Sequence, residues 1–189
     1  TDGVLGEYIK TDIIVEAGKQ IDLGKLKWTP IRYGKQLWDI GIPNRNASEF
    51  YKAEEHNNPE ISLQYGTLFP KDVTFTIGKS NYAKDWLFQH VPHNENPEAK
   101  SKPFIGAYTQ GRATPYTIVF SMERAVHGKV VLRCAICGTG TKELEIEVNG
   151  AKVGKIKDLS PDGVITRHGT QGIWYERNLC FDASLLRKG

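Results

Sequence analysis

The stretch KELEIEVNGAKVGKI, residues 142–156, contains the clearest secondary-structure pattern of the chain. Up to Val148, apolar residues alternate with three glutamates. This period of two is typical of a strand with one buried face and one charged face. Asn149 and Gly150 follow, the pair that supplies the positive φ values of a tight hairpin turn. The stretch therefore predicts an antiparallel hairpin.

The rest of the chain also reads as strands separated by Gly, Pro and Asn turns. Apolar runs rich in β-branched residues predict two central strands, PYTIVFSM (residues 115–122) and KVVLRCAIC (residues 129–137). Shorter strands are predicted at DVTFTIG, DWLFQHV and GIWYERNLCF, and single helical turns at NPEISLQYG and DASLLRK. HVPHNENPEAKSKPF, residues 90–104, predicts a long surface loop. The predicted fold is all-β, an antiparallel jelly-roll β-sandwich preceded by a short β segment.

The first 35 residues form a separate unit in this interpretation. They contain two short strand patterns around a Gly turn, and two strands cannot bury a core alone. Residues 1–35 are either the end of a preceding β-domain, which we favour, or an extension packed on the main body at 36–189. Because Thr1 begins the chain without a Met or an apolar leader, we expect a processed form or one piece of a longer protein.

Composition excludes several classes of function. The net charge of +3 is spread without a block of like charges, so the sequence does not support nucleic-acid binding. No run approaches 18 apolar residues, which argues against a membrane span.

The cysteines do not indicate a metal or redox centre. Cys134 and Cys137 form a CxxC, but it lies in a predicted strand, where residues three apart point to opposite faces. No second ligand pair accompanies it. A disulfide between Cys180 and one of the two is left open, as is secretion, which the single sequon at Asn46 permits.

Several phrases of the chain, in order and at matching spacings, resemble polysaccharide lyase family 4, the rhamnogalacturonan lyases. They are LWDIGIPNRNASEFYKAE, FTIGKSNYAKDWLFQHV, YTIVFSME with GKVVLRCAI, and ITRHGTQGIWYE. The resemblance is to the C-terminal domain of that family. VEAGKQIDLGKLKWTPIRYGKQLW, residues 15–38, is similar to the junction with its fibronectin-type-III-like middle domain. The family's sequence continues beyond an LLRKG-like stretch, whereas this chain ends at Gly189.

The resemblance implies a non-catalytic role. Family members cleave the galacturonate–rhamnose backbone of rhamnogalacturonan I, a pectin, by β-elimination. Their catalytic lysine and histidine lie in an N-terminal domain that no part of this chain matches. The C-terminal domain is a galactose-binding-like jelly roll similar to carbohydrate-binding modules. The expected partners are therefore a pectic polysaccharide and the catalytic domain of the same secreted, extracellular protein. The alternative is a structural brace that binds no sugar.

The loop GVITRHGTQGIWY, residues 163–175, contains most of the candidate ligand-binding side chains. They are Arg167, His168, Gln171, Trp174 and Tyr175. An arginine can pair with a sugar carboxylate in bidentate fashion, and an aromatic ring can stack on the apolar face of a sugar. The same loop has two other interpretations. Arg167 and His168 together could serve a β-elimination as cation and base, or they could bond loop carbonyls only, which we favour for this pair.

A second candidate segment is KSNYAKDW, residues 79–86, where Tyr82 and Lys84 combine an aromatic ring with a cation. Its alternative is a turn in which Asp85 bonds the backbone. The sequence predicts no definite cofactor and leaves open a structural calcium, with oxygen ligands drawn from the acidic residues Glu49, Glu54, Glu55, Asp158 and Asp162.

Overall fold

The predicted hairpin is present in the computed structural model, which describes residues 8–29, 33–58, 61–91, 93–94, 111–163 and 170–186. Strand β6 (Leu144–Val148) pairs antiparallel with β7 (Ala151–Ile156). Asn149 and Gly150 have φ values of 48° and 81°, so the turn is of the type that matches the twist of the strands. The prediction of the hairpin and its turn is confirmed.

The other strands of the described ranges form three more pairs. They are β1 (Val73–Thr76), β2 (His93–Asn94), β3 (Gly111–Arg112), β4 (Tyr116–Val119), β5 (Lys129–Cys137) and β8 (Trp174–Asp182). The longest pair is β5 with β8, antiparallel over nine positions from Lys129 opposite Asp182 to Cys137 opposite Trp174. β2 pairs antiparallel with β3, whereas β1 pairs parallel with β4. A long crossover that includes a helix separates β1 from β4, which permits their parallel pairing.

Among the residues that the structure describes, helical structure is confined to short turns. The α-helices are α1 (Tyr65–Leu68) and α2 (Tyr82–Asp85), and the 3-10 turns are Ala53–Glu55, Ile61–Gln64 and Ala183–Leu185. The two predicted helical turns are present, and the last is capped by Asp182, which accepts a hydrogen bond from the Ser184 amide.

The strand predicted at DWLFQHV is absent. Helix α2 ends at Asp85, and Leu87 forms only an isolated bridge with Tyr51. Asn81 caps the helix through its side chain, and this local bond competes with an extended backbone.

In the part of the chain that the structure describes, the buried residues form two apolar clusters. The first joins Tyr65, Val73, Leu87 and Val91, with Trp86 packed against it. The second lies between the β5–β8 and β6–β7 pairs and comprises Ile156, Leu159 and Tyr175, with partly buried neighbours Cys134, Ile136, Leu144, Ile146 and Leu179. Two sheet pairs facing each other across an apolar layer are the arrangement of a β-sandwich. The all-β prediction is confirmed.

Residues 8–29 form no strand and are exposed throughout. Ile14 and Val15 are 80% and 79% exposed, because no second layer covers them. The strands predicted there are therefore not observed. Tyr33, which follows, contacts the main body. Its hydroxyl accepts a hydrogen bond from Asn178 at 3.3 Å, and the Arg133 guanidinium lies 5.0 Å from its ring centre.

Within the described ranges, no helix has the length and apolarity needed to cross a membrane. Residues 95–104 of the predicted surface loop lie outside those ranges. The assignment of residues 1–35 to the end of a preceding β-domain stays a prediction.

Candidate binding site

Trp174 and Tyr175 begin strand β8 and point to opposite sides of the β5–β8 pair. Tyr175 is only 9% exposed and packs on Ile156 and Leu159. Its hydroxyl accepts a hydrogen bond from the Ser160 amide at 3.0 Å. Tyr175 is thus a core residue, and burial removes its ring from the predicted sugar-stacking surface.

Trp174 lies on the outer face of the pair, half-buried. Its indole Nε1 donates a hydrogen bond to Glu176 Oε1 at 3.1 Å. The Arg45 guanidinium carbon lies 5.8 Å from the centre of the Trp174 ring, within the range of a cation–π contact. The structure therefore joins an aromatic ring, a carboxylate and a guanidinium.

Sequence reasoning missed Arg45. The residue lies in the polar segment PNRNAS, far in sequence from the loop of residues 163–175, and only tertiary folding brings the two together. The one local signal is the cluster of Asn and Pro around a cation, which by itself indicates a turn.

The Arg45 segment is held against the end of β5. The Ala47 amide donates to the Thr170 carbonyl at 2.9 Å. The Cys137 thiol donates to the carbonyl of Arg45 at 3.0 Å and to that of Thr170 at 3.3 Å. Burial raises the pKa of the Cys137 thiol, which keeps the donated proton in place. A strand cysteine thus fixes the backbone of the site's arginine.

The segment before Trp174 is fixed by Asp162, which is 8% exposed. Its carboxylate accepts from the Ile173 amide, and its own amide donates to the Thr139 carbonyl at 2.8 Å. Gly172 passes so close that an added Cβ would lie 2.6 Å from Asp162 Oδ2 and 2.7 Å from the Gly138 Cα. Only glycine fits there.

The other predicted ligand-binding residues are divided among different parts of the chain. Gln171 is exposed and lies three positions before Trp174, at the same end of β8. Arg167 and His168 lie outside the described residues. Tyr82 and Lys84 are on α2, where the Tyr82 ring meets Phe50 edge-on with 5.7 Å between ring centres, and Lys84 is exposed.

The predicted backbone role of Asp85 is confirmed, since its carboxylate accepts from the Asn81 amide at 2.8 Å. The segment KSNYAKDW is therefore a capped helical turn next to the first apolar cluster, with the Tyr82 ring packed on Phe50.

The carboxylates proposed for calcium do not gather into a cluster. No group of three or more potential ligands occurs in the part of the chain that the structure describes. Glu49 Oε1 accepts from the Ile42 amide at 2.8 Å, Glu55 pairs with Lys52, and Asp162 holds Ile173. These three carboxylates thus bind donors of the chain itself.

The three cysteines are free thiols in different settings. Cys134 points into the second apolar cluster, whereas Cys137 contacts the Arg45 segment, so the two lie on opposite faces as predicted. Burial raises the pKa of Cys134 to about 11. Cys180 is exposed.

Comparison with known proteins identifies the domain. The family model described as CBM-like, polysaccharide lyase family 4, domain III, matches residues 36–189. The chain is 30% identical over 114 residues to a probable rhamnogalacturonate lyase B of Aspergillus fumigatus, a match covering 51% of the chain and 17% of that protein. It is 28% identical over 115 residues to rhamnogalacturonate lyase B of Emericella nidulans, covering 53% and 17%.

A probable rhamnogalacturonate lyase C of Emericella nidulans matches all of the chain at 24% identity, and the match covers 21% of that protein. The chain thus spans about a fifth of the length of these curated relatives. No solved structure gives a significant match. Since the family model covers most of the chain, this protein belongs to polysaccharide lyase family 4, and residues 36–189 are its CBM-like domain III.

Proposed function

We propose that the chain is the non-catalytic, carbohydrate-binding part of a secreted rhamnogalacturonan lyase, and that it holds the pectic polymer for the catalytic domain of the same protein. The match of residues 36–189 to the CBM-like domain carries this proposal. The relatives are named rhamnogalacturonate lyases, which supports a rhamnogalacturonan as the polymer that is bound.

The Arg45–Trp174 pair supports a role in binding. A sugar ring has an apolar face and a hydroxyl edge, so a binding site needs an aromatic surface with a few directed polar groups beside it. Trp174 offers the ring, and Glu176 offers a carboxylate that can accept hydrogen bonds from sugar hydroxyls. Arg45 adds a planar cation that suits the carboxylate of a uronic acid.

We do not assign lyase activity to this chain alone. β-Elimination needs a base for the C5 proton and a cation that neutralises the carboxylate. By resemblance, the lysine and histidine that do this chemistry belong to another domain. We expect the chain to release no unsaturated product from rhamnogalacturonan I, as followed by ultraviolet absorbance. Appreciable release would contradict the non-catalytic role.

Affinity electrophoresis in gels containing rhamnogalacturonan I tests the binding role. We expect the full chain to be retarded and the W174A variant to migrate as it does without polymer, since stacking on an aromatic ring contributes much of sugar affinity. W28A is the matched control, because Trp28 lies in the exposed segment 8–29 and is not part of strand β8. Equal loss in both variants would contradict a site at Trp174.

The second candidate function is a structural brace for the catalytic domain. Exposed apolar side chains favour it, among them Ile173 at 48% and Val119 at 45%. Surfaces of this kind serve protein contacts when they are contiguous. Absence of retardation by every pectic ligand would favour the brace over the binding module.

A further inference from the structure

We propose that Asn46 is a site of N-linked glycosylation. The inference rests on one part of the proposed function, secretion, because this modification takes place in the secretory pathway of eukaryotic cells. Asn46, Ala47 and Ser48 form the single Asn-x-Ser/Thr triplet of the chain. Such a triplet also occurs by chance, so the geometry around Asn46 decides whether its side chain can serve as the acceptor.

The triplet lies in a turn, outside the helices and strands of the described chain. Asn44 Oδ1 accepts a hydrogen bond from the Asn46 amide at 3.1 Å, and Asn46 Oδ1 accepts one from the Ser48 amide at 2.8 Å. Arg45, between the two asparagines, has a φ of 65° in the left-handed region. Two successive Asx turns therefore fix the triplet as a surface turn, the setting that a bulky hydrated glycan requires.

The two polar atoms of the Asn46 side chain have different surroundings. Oδ1 closes the turn, whereas Nδ2 donates no hydrogen bond within the described ranges and is not enclosed by protein. Ser48, the third residue of the triplet, is exposed. A glycan on Nδ2 therefore displaces water and leaves the described hydrogen bonds of the turn intact.

Both neighbours of the acceptor are anchored, which fixes where the glycan leaves the surface. The Ala47 amide donates to the Thr170 carbonyl at 2.9 Å. On the other side, the carbonyl of Arg45 accepts from the Cys137 thiol at 3.0 Å, and the Arg45 guanidinium lies 5.8 Å from the Trp174 ring centre. The glycan therefore stands beside the end of β8 that carries Trp174, and it narrows the approach of a polymer to that ring.

The modification is a group transfer from an oligosaccharide linked to a lipid diphosphate. A bond forms between Asn46 Nδ2 and the anomeric carbon of the first N-acetylglucosamine, and the bond from that carbon to the diphosphate oxygen breaks. Nδ2 loses one proton, and the lipid diphosphate leaves with the bonding electron pair. The product is a secondary amide whose Oδ1 is still a carbonyl oxygen, so it still accepts the Ser48 amide.

Secretion of the full chain from a eukaryotic host, followed by digestion with a peptide N-glycosidase, tests the inference. We expect the enzyme to lower the mass of the secreted chain and to convert residue 46 into aspartate, which mass spectrometry of peptides detects. S48A should abolish the glycan while leaving the Asx turn in place, and S48T should retain it. N57Q is the matched control, an exposed asparagine outside the triplet, and it should keep the glycan.

An unmodified Asn46 in the secreted chain would overturn the inference, and so would a glycan that persists in S48A. N46D keeps an oxygen at the Oδ1 position and is a second variant without the acceptor nitrogen, should S48A not fold.

Affinity electrophoresis in rhamnogalacturonan I separates this inference from the proposed function. The glycan-free S48A chain should be retarded more than the glycosylated chain, and equal retardation would contradict a glycan beside Trp174. If neither chain is retarded, the binding function fails, whereas the peptide masses still decide whether Asn46 is glycosylated.

Discussion

Tyr175 shows at the residue scale how a ring next to a candidate site can be purely structural. Its ring fills the second apolar cluster, and its hydroxyl bonds the Ser160 backbone. We expect Y175F to lower the free energy of unfolding by about 1 kcal/mol, the net contribution of such a hydrogen bond. Urea denaturation measures this. Sugar affinity should stay unchanged, and a large loss of affinity at full stability would contradict the core assignment.

Thiol reactivity distinguishes two of the three cysteines. At about pH 8.5, iodoacetamide should modify exposed Cys180 first, since only accessible thiolates react. The raised pKa of about 11 at Cys134 leaves little thiolate there, so its modification should accelerate as pH rises toward that value. Mass spectrometry of labelled peptides measures both rates. C180S should remove the fast phase, and fast labelling of Cys134 would contradict its burial.

Single residues also mark a limit of sequence reasoning. Alternation along GIWYERNLCF shows that Trp174 and Tyr175 face opposite sides, but not which of them faces the core. That choice depends on pairing with β5 and packing on β7, contacts made by residues distant in sequence. For the same reason, the sequence does not show that Arg45 lies beside Trp174.

At the element scale, β7 depends on a glycine in its middle. Gly154 has φ 150° and lies beside a bulge, and an added Cβ would approach Leu179 Cδ1 to 3.0 Å. G154A should cost about 1–3 kcal/mol through backbone strain and overpacking. G150A should cost about 1 kcal/mol, because positive φ is its only penalty. G163A should cost little, since nothing lies near its Cβ. Thermal unfolding compares the three, and equal losses would contradict the close β7–β8 contact.

The elements that sequence could predict are those specified locally. The β6–β7 hairpin carries its pattern and its turn within 15 residues, and β5 is one apolar run. The parallel pairing of β1 with β4 requires a crossover, and helix α2 depends on an Asn81 cap just before the segment DWLFQHV, for which the sequence predicts a strand. Where local signals conflict, tertiary contacts decide.

At the scale of the whole molecule, the described segment 8–29 adds little to the fold. Every residue in it is exposed, whereas Tyr33 contacts the main body through Asn178. We expect removal of residues 1–29 to change the free energy of unfolding by less than about 0.5 kcal/mol, as for surface changes in general. Urea denaturation of both chains measures this. A large loss would show that the segment packs on the main body, the alternative we disfavour.

The thiol of Cys137 has a consequence for mutational scanning. The thiol donates to the Arg45 and Thr170 carbonyls, so strand β5 fixes the position of the Arg45 backbone, although Arg45 is remote in sequence. A saturation library selected for polymer capture should therefore score Cys137 as intolerant, although the sulfur touches no sugar. Serine, which keeps a short donor, should be the best tolerated replacement.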